Sequence, residues 1–269
     1  MPDSDSEQAL KVAVRAARIG GRILMRRLNK LERSQIRKKG KYDWVTDADR
    51  ASEEAILAVL RKAFPAHSIK AEESAPGEAL CARQWLIDPL DGTVNYLHGF
   101  PMFCVSIAFV ERSRLEAGVV YDPVREELFT ARRGQGAFLN GRRIRVTACK
   151  LFEESLLATG FPFRAKNKMD LYLGSFRRLF LKTGSIRRAG SAALDLAYVA
   201  CGRMDGFWEM ALAPWDMAAG ALLIQEAGGK VTDFFGGQDY FQRGHVLAGN
   251  PRIHAQMARL LRPYFHGRI

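Results

Sequence analysis

The stretch Ile87-Asp88-Pro89-Leu90-Asp91-Gly92-Thr93 ends an apolar run with two carboxylates three residues apart, followed by a glycine and a threonine. A buried strand ending in Asp88 would deliver a carboxylate to the edge of a sheet, where α/β proteins take their ligands. Pro89 fixes φ through the expected turn, so Asp91 can point back into the same volume. Two carboxylates held close together repel, and one is pushed toward its neutral form unless a cation sits between them. Hard divalent cations take oxygen ligands, and Mg2+ often uses one or two carboxylates plus a substrate phosphate. Gly92 and Thr93 read as the first turn of a helix, whose N–H groups and dipole favour an anion. The stretch therefore suits a cation site beside a phosphate seat. It suits equally well a proline-containing turn with two solvated aspartates.

Other acids bear on that choice. Glu72 and Glu73 stand at the end of an expected strand, Asp47 and Asp49 at the start of a helical pattern, and Asp216 heads another after Pro214-Trp215. Singly, each has an ordinary reading: a solvated acidic turn, or helix N-capping and dipole matching. Their coexistence in a chain of net charge +12 favours the cation site. The histidines and cysteines do not compete for it. His98 reads as a loop-packing residue, because a site of hard oxygen ligands prefers carboxylates. Cys81, Cys104, Cys149 and Cys201 are widely spaced with no C-x-x-C, and read as buried, reduced thiols.

The elements that must carry these residues alternate in type. An amphipathic helix is expected over 7–31 with Ser6 as N-cap, then a polar loop around Gly40, then a helix from Asp47 to Phe64 stopped by Pro65. A short strand leading into an acidic turn is expected over 67–74, and strands at 85–88 and 102–110, the last apolar enough to be buried on both faces. Further strands follow, with Asn140-Gly141 as a hairpin signal. Beyond about residue 150, strands at 155–161, 185–190 and 206–210 intersperse with helices over 169–183, 191–202 and 215–229; strands near 230 and 245 and a helix over 251–263 close the chain. This mixture predicts an α+β fold of layered helices and sheets, divided into lobes 1–148 and 149–269.

Bulk properties narrow the function classes. The chain has 269 residues, 48% of them hydrophobic, enough for a large core. No apolar run approaches the roughly 20 residues of a membrane span, and the acidic start has no apolar signal core behind it, so a soluble cytoplasmic protein is expected. The positive charge is uneven: residues 11–41 hold twelve Lys or Arg against one acid, Glu32. Lys11, Arg15, Arg18, Arg22 and Arg26 recur at helical spacing and line one face. That face reads as a solvated helix surface, or as an anion-binding surface for RNA or an acidic protein. No aromatic residue is interleaved to stack on bases.

The segment WLIDPLDGTVNYLHGFP (85–101) resembles the signature of the inositol monophosphatase family of magnesium-dependent sugar phosphatases, and PWDMAAG (214–220) resembles its second signature. AEES (71–74) precedes the first and RRAGSAALDLAYVACGRMDGFWEM (187–210) the second, in the family's order. The likeness spans nearly the whole chain and is nearest to the bacterial branch. It implies a layered αβαβα sandwich of the sugar-phosphatase type, with the metal site between two lobes. It implies Mg2+ as cofactor: one ion on Glu72, Asp88 and the Leu90 carbonyl, a second on Asp88, Asp91 and Asp216, and room for a weaker third near Glu72. Glu72, Asp49 and Thr93 would be catalytic, with Thr93 and Asp49 orienting and deprotonating the attacking water. Gly92 and Thr93 N–H groups would bind phosphate, beside Asp91 and Asp216. Gly190, Ser191, Ala192 and Glu209 would contact sugar hydroxyls, and Lys38 or Lys39 would approach the phosphate from a basic loop. Ala71 departs from the Gly or Thr of many relatives, and Lys70 lies near the cluster in sequence; neither removes a ligand.

The resemblance implies hydrolysis of a small sugar or polyol phosphate, with inositol 1-phosphate first. Fructose-1,6-bisphosphate, histidinol phosphate, NADP and 3′-phosphoadenosine nucleotides are the family's other substrate types. It also implies a homodimer. Some bacterial members associate with the transcription machinery, and the basic segment of this chain is what motivates an RNA or transcription-machinery contact here.

Overall fold

The structure is a computed structural model that describes residues 3–30, 36–40, 43–74 and 82–269, with residues 3, 4, 36–40, 43 and 44 described by backbone alone. Helix α1 runs from Asp3 to Arg27. Ser6 is therefore inside the helix, not its N-cap. The helix stops earlier than the periodicity suggests because Asn29 adopts φ 61°, a left-handed residue of the kind that ends helices. The polar loop expected around Gly40 is instead a hairpin, with β1 (Ile36–Gly40) antiparallel to β2 (Asp43–Thr46). Helix α2 (Asp47–Ala63) opens with a reciprocal cap. The Thr46 hydroxyl accepts from the Ala48 and Asp49 N–H groups, and the Asp49 carboxylate accepts from the Thr46 N–H.

A seven-stranded sheet follows in the order β3 (Ser68–Ala71), β4 (Arg83–Asp91), β5 (Cys104–Glu111), β6 (Arg114–Asp122), β7 (Glu127–Arg132), β8 (Gly136–Leu139), β9 (Arg142–Arg143). Only β3 and β4 are parallel; the other neighbours are antiparallel. Short helix α3 (Thr93–Leu97) leaves the end of β4. The second sheet has five strands in the order β11 (Ser185–Arg187), β10 (Leu156–Thr159), β12 (Gly206–Glu209), β14 (Val246–Gly249), β13 (Lys230–Thr232). The helices of this half are α4 (Met169–Phe180), α5 (Ala192–Ala200), α6 (Pro214–Glu226), the short α7 (Tyr240–Arg243) and α8 (Pro251–Phe265).

Strand alternation sorts the core into layers. Val105, Ile107 and Phe109 of β5 face α1 and α2, whereas Cys104, Ala108 and Val110 face α5 and α6. In the second sheet Phe207, Val246 and Ala248 meet the same α5 and α6, and Trp208 and Leu247 turn outward to the cluster of α4 and α8. The result is the αβαβα sandwich, with α5 and α6 buried on nearly every side. That all-round burial explains their small-residue composition, because only small side chains let both sheets come close. The core around α5 and α6 is common to both halves of the chain.

Two further departures from the sequence reading matter for the site. Pro89 lies in a bulge within β4, not in a turn after it: Asp88 pairs with Ser106 and Asp91 with Cys104, so β4 carries one residue more than β5 over this stretch. A proline fits there because a bulge needs no ladder N–H from it, and the Pro89 carbonyl is satisfied by the Ser52 hydroxyl at 3.0 Å. Of the thiols, Cys104 is buried, but Cys149 and Cys201 are only half-buried; all three are free, and Cys81 lies outside the described residues.

Helix α1 is fitted closely to its neighbours. A Cβ at Gly20 would stand 2.7 Å from Ser52 Oγ and 2.9 Å from Ile56 Cδ1, inside contact distance. Gly20→Val should therefore pry α1 from α2 and destabilise the protein by about 1–3 kcal/mol. Thermal unfolding checks this; an undiminished melting temperature would show that the helix pair can relax.

Candidate functional site

The bulge in β4 aims Asp88 and Asp91 toward one cleft, and the ends of several other elements meet them there. Glu72 follows β3, the parallel neighbour of β4. Asp216 sits at the third position of α6, where it accepts from the Ala213 N–H at 2.7 Å; Ala213, rather than Asp216, is the N-cap residue. Carboxylate oxygens of Glu72, Asp88 and Asp216 lie within 4.8 Å of one another. They border a cavity of about 320 Å3, also lined by Leu90, Asp91, Gly92, Thr93, Gly190, Ser191, Ala192 and Glu209. Asp91 lies beside this trio, with one oxygen committed to helix α5. Its Oδ2 accepts from the Ser191 hydroxyl at 2.6 Å and the Ala193 N–H at 2.8 Å.

Asp49 is buried and does not line the cavity. Its Oδ2 accepts from the Thr46 N–H and hydroxyl, at 2.9 and 2.5 Å, and its Oδ1 lies 3.2 Å from the Thr93 hydroxyl. The same hydroxyl lies 3.1 Å from the Leu90 carbonyl, so its single proton has two acceptors. Asp49 thus reaches the cavity through Thr93. Asp47 is half-buried, and its backbone carbonyl accepts from Arg27 at 3.0 Å. Gly92 has φ 92°, and a Cβ there would stand 2.8 Å from the Met102 carbonyl; the turn from β4 into α3 requires glycine on both counts.

Electrostatics mark the cleft. Burial, then Glu72, Asp91 and Asp216, push the Asp88 carboxyl well above the ordinary range, against one hydrogen bond from the Leu90 N–H. Burial and Asp216 raise Asp91 to about 6, against the Ser191 and Ala193 hydrogen bonds. On the opposite wall Glu209 is raised by burial and by Asp195, and Asp195 by burial and by Asp91; Arg188 opposes both shifts. Buried carboxyls pressed together in this way are the electrostatic signature of a functional cleft. The donors are all hard oxygens, which fits Mg2+ and not a soft metal.

Several lining residues carried no sequence signal strong enough to single them out. Arg164 donates to Asp216 at 2.5 Å and to Glu72 at 3.2 Å. Burial opposes its charge, but Asp216 and Glu72 outweigh that and raise its pKa. Asp195 is buried on α5 and lines the cavity, and its Oδ1 makes no hydrogen bond among the described residues. The small-residue run around it was legible as a helix; an acid within such a run was the available clue. Gly160 gives Glu209 its space: a Cβ there would stand 2.2 Å from the carboxylate. Asn95 ties α3 to the loop before α5, donating to the Met102 and Ala189 carbonyls at 2.7 and 3.0 Å. His98 is exposed, at the C-cap of α3. Lys70 lies over the Trp215 ring at 6.0 Å, outside the cavity lining. The side chains of Lys38 and Lys39 lie outside those described.

Known proteins agree with this architecture. A sequence model described as "Inositol monophosphatase family" matches residues 5–265. The "Nus factor SuhB" of Pseudomonas aeruginosa is 51% identical over 261 residues, covering 95% of this chain and 96% of that protein. The protein of the same name in Escherichia coli is 49% identical over 245 residues, covering 91% and 92%. Among solved structures, the extragenic suppressor protein suhB of Bartonella henselae superposes with a TM-score of 0.89 at 46% identity, covering 94% of this chain and 98% of that one. An inositol monophosphatase from Anabaena gives 0.87 at 42% identity, covering 96% of both. Matched from its first helix to its last, this chain belongs to the inositol monophosphatase family.

Proposed function

We propose that the protein is a Mg2+-dependent phosphatase of small polyol phosphate monoesters, with inositol 1-phosphate as its first substrate. The observation that carries this reading is the acidic trio of Glu72, Asp88 and Asp216 in one cavity with Thr93 and Glu209. In this reading Glu72, Asp88, Asp91, Asp216 and the Leu90 carbonyl hold two Mg2+ ions, with a third near Glu72. The metal, when bound, supplies charge neutralisation at the phosphoryl oxygens and a water of lowered pKa.

The chain's own groups do the rest. The Thr93 hydroxyl, 3.2 Å from Asp49, orients the attacking water and hands its proton toward that carboxylate. The Gly92 and Thr93 N–H groups seat the phosphate where the chain turns into α3. Glu209, with the Gly190–Ala192 segment, takes the hydroxyls of the leaving group. The raised pKa of Glu209 suits it to donate as well as accept a hydrogen bond. A wall that offers the buried carboxyls of Glu209 and Asp195 favours a polyol with free hydroxyls over the fructose-1,6-bisphosphate, histidinol phosphate, NADP and phosphoadenosine alternatives. A homodimer belongs to the same reading. Leu173 and Phe180 on α4, and Leu181 beyond it, are exposed, and β11 is an edge strand. The free thiols Cys104, Cys149 and Cys201 suit the cytoplasm.

A second role is favoured by one specific surface. Lys11, Arg15, Arg18, Arg22 and Arg26 are all exposed along α1, and relatives carry the name Nus factor. We read this face as an RNA-binding surface that coexists with catalysis.

Asp88→Asn should abolish Mg2+-dependent phosphate release from inositol 1-phosphate while circular dichroism stays native. Turnover at the wild-type rate would remove the metal assignment. Proton competition gives a second test. Asp88 and Asp91 have folded pKa values above their unfolded ones, so the metal-free fold binds extra protons in acid; the part of that stabilisation due to Asp91 is lost as pH rises through about 6. Mg2+ needs the same groups ionised. The rise in melting temperature on adding Mg2+ should therefore be larger at about pH 7.5 than at about pH 5.5; an equal rise at both would count against these carboxyls as ligands. For the basic face, changing Arg15, Arg18 and Arg22 to Glu should weaken RNA binding and flatten its dependence on salt. Filter binding over a salt series reads both, and unaffected binding would reject this surface.

A further inference from the structure

The guanidinium of Arg164 takes the place among the acids that a cation would want. Nη1 lies 2.5 Å from Asp216 Oδ2 and Nη2 lies 3.2 Å from Glu72 Oε1. Those are two of the three carboxylates that converge within 4.8 Å. The geometry has two consequences. Arginine does not deprotonate in proteins, so this counter-charge cannot be removed by a proton; it can only move. A divalent cation drawing on the same oxygens would also meet a unit positive charge at contact distance.

The backbone that carries Arg164 is suited to moving. Residues Phe163–Lys168 form two 3-10 turns separated by a kink at the non-helical Ala165 (φ −139°, ψ 57°), without a buried residue. It lies outside the regular elements, between strand β10 and helix α4. Arg164 also rests over its own neighbour, the Phe163 ring, at 4.7 Å, a contact that travels with the segment.

We propose that Arg164 is a resident counter-cation of the acidic cluster which a divalent metal displaces, so that metal binding and release of segment 163–168 from Glu72 and Asp216 are one event. The proposal rests on reading Glu72, Asp88 and Asp216 as a divalent-cation site. It explains how three close carboxylates are tolerated in the metal-free fold: the protein supplies its own cation until a stronger one arrives. Apparent metal affinity is then reduced by the fraction of molecules in which Arg164 holds the site.

The test uses the full chain without substrate. Arg164→Ala and Arg164→Gln are compared with wild type by calorimetric Mg2+ titration and by thermal unfolding, with EDTA and with Mg2+. Both variants should bind Mg2+ roughly fivefold or more tighter than wild type. In EDTA both should melt below wild type, because the acids lose their counter-charge, and Mg2+ should close the gap. Arg164→Lys, which keeps a charge but loses the fork, should fall between. In wild type, amide exchange over 163–168 should quicken on adding Mg2+. Unchanged or weaker Mg2+ binding in the Ala and Gln variants, with wild-type binding intact, would overturn the displacement and leave the metal site standing. If wild type itself bound no Mg2+, the metal reading would fall first, and this proposal with it.

Discussion

Three carboxylates with oxygens within 4.8 Å repel by roughly 3 kcal/mol per ionised pair at an effective dielectric near 20, and the structure around the cleft is organised to offset that repulsion. Four helices begin at or beside the site. Helix α2 carries Asp49 and α6 carries Asp216 in their first turns, α3 is entered through Gly92, and α5 is capped by Ser191, which donates to Asp91. Each helix start presents the positive end of its dipole to an acid. Arg164 adds a full charge from an irregular segment. The remainder appears as raised carboxyl pKa values, most clearly at the fully enclosed Asp88.

The sandwich makes this convergence possible. Strand β4 is buried on both faces and cannot tilt, so a single bulged residue sets the aim of both Asp88 and Asp91. Helices α5 and α6 are clamped between two sheets, which fixes Ser191, Asp195 and Asp216 relative to β4 although they come from the other half of the chain. Asn95 closes the arrangement across the halves through its two carbonyl contacts. Rigid elements supply the acids, and the less regular 163–168 segment supplies the arginine. Fixed acids and a movable cation are what a site must have if its charge is to be exchanged.

The strands and helices were legible because their periodicity is strong. The β5 run is apolar on both faces, and α6 is apolar all round because it is interior. The acids were legible because their neighbours belong to local patterns: a strand end, a capping position, a Gly-Thr turn. Pro89 was misread because a bulge and a turn use the same residues, and only pairing with Ser106 and Cys104 distinguishes them. Ser6 failed as a cap because helix starts are weakly marked when the preceding residues are equally polar. Arg164, Arg188 and Asp195 were not singled out for a different reason. The partners of Arg164 lie 52 and 92 residues away, and an arginine after Phe-Pro-Phe has no local pattern to betray it.

The basic face of α1 and the cleft are kept apart by the same layering. Helix α1 packs on the outer face of the seven-stranded sheet, and α5 and α6 on its inner face. An RNA laid along Arg15, Arg18 and Arg22 would therefore have a sheet between it and the middle layer. The two regions nonetheless meet at one end of the helix. The Tyr96 hydroxyl of α3 donates to the Leu24 carbonyl at 2.7 Å, and Arg27 donates to the Asp47 carbonyl at 3.0 Å. Those bonds fasten the last turns of α1 to the two elements that carry Thr93 and Asp49. An RNA held by Arg15, Arg18 and Arg22 would grip α1 upstream of these bonds, away from the Thr93–Asp49 pair.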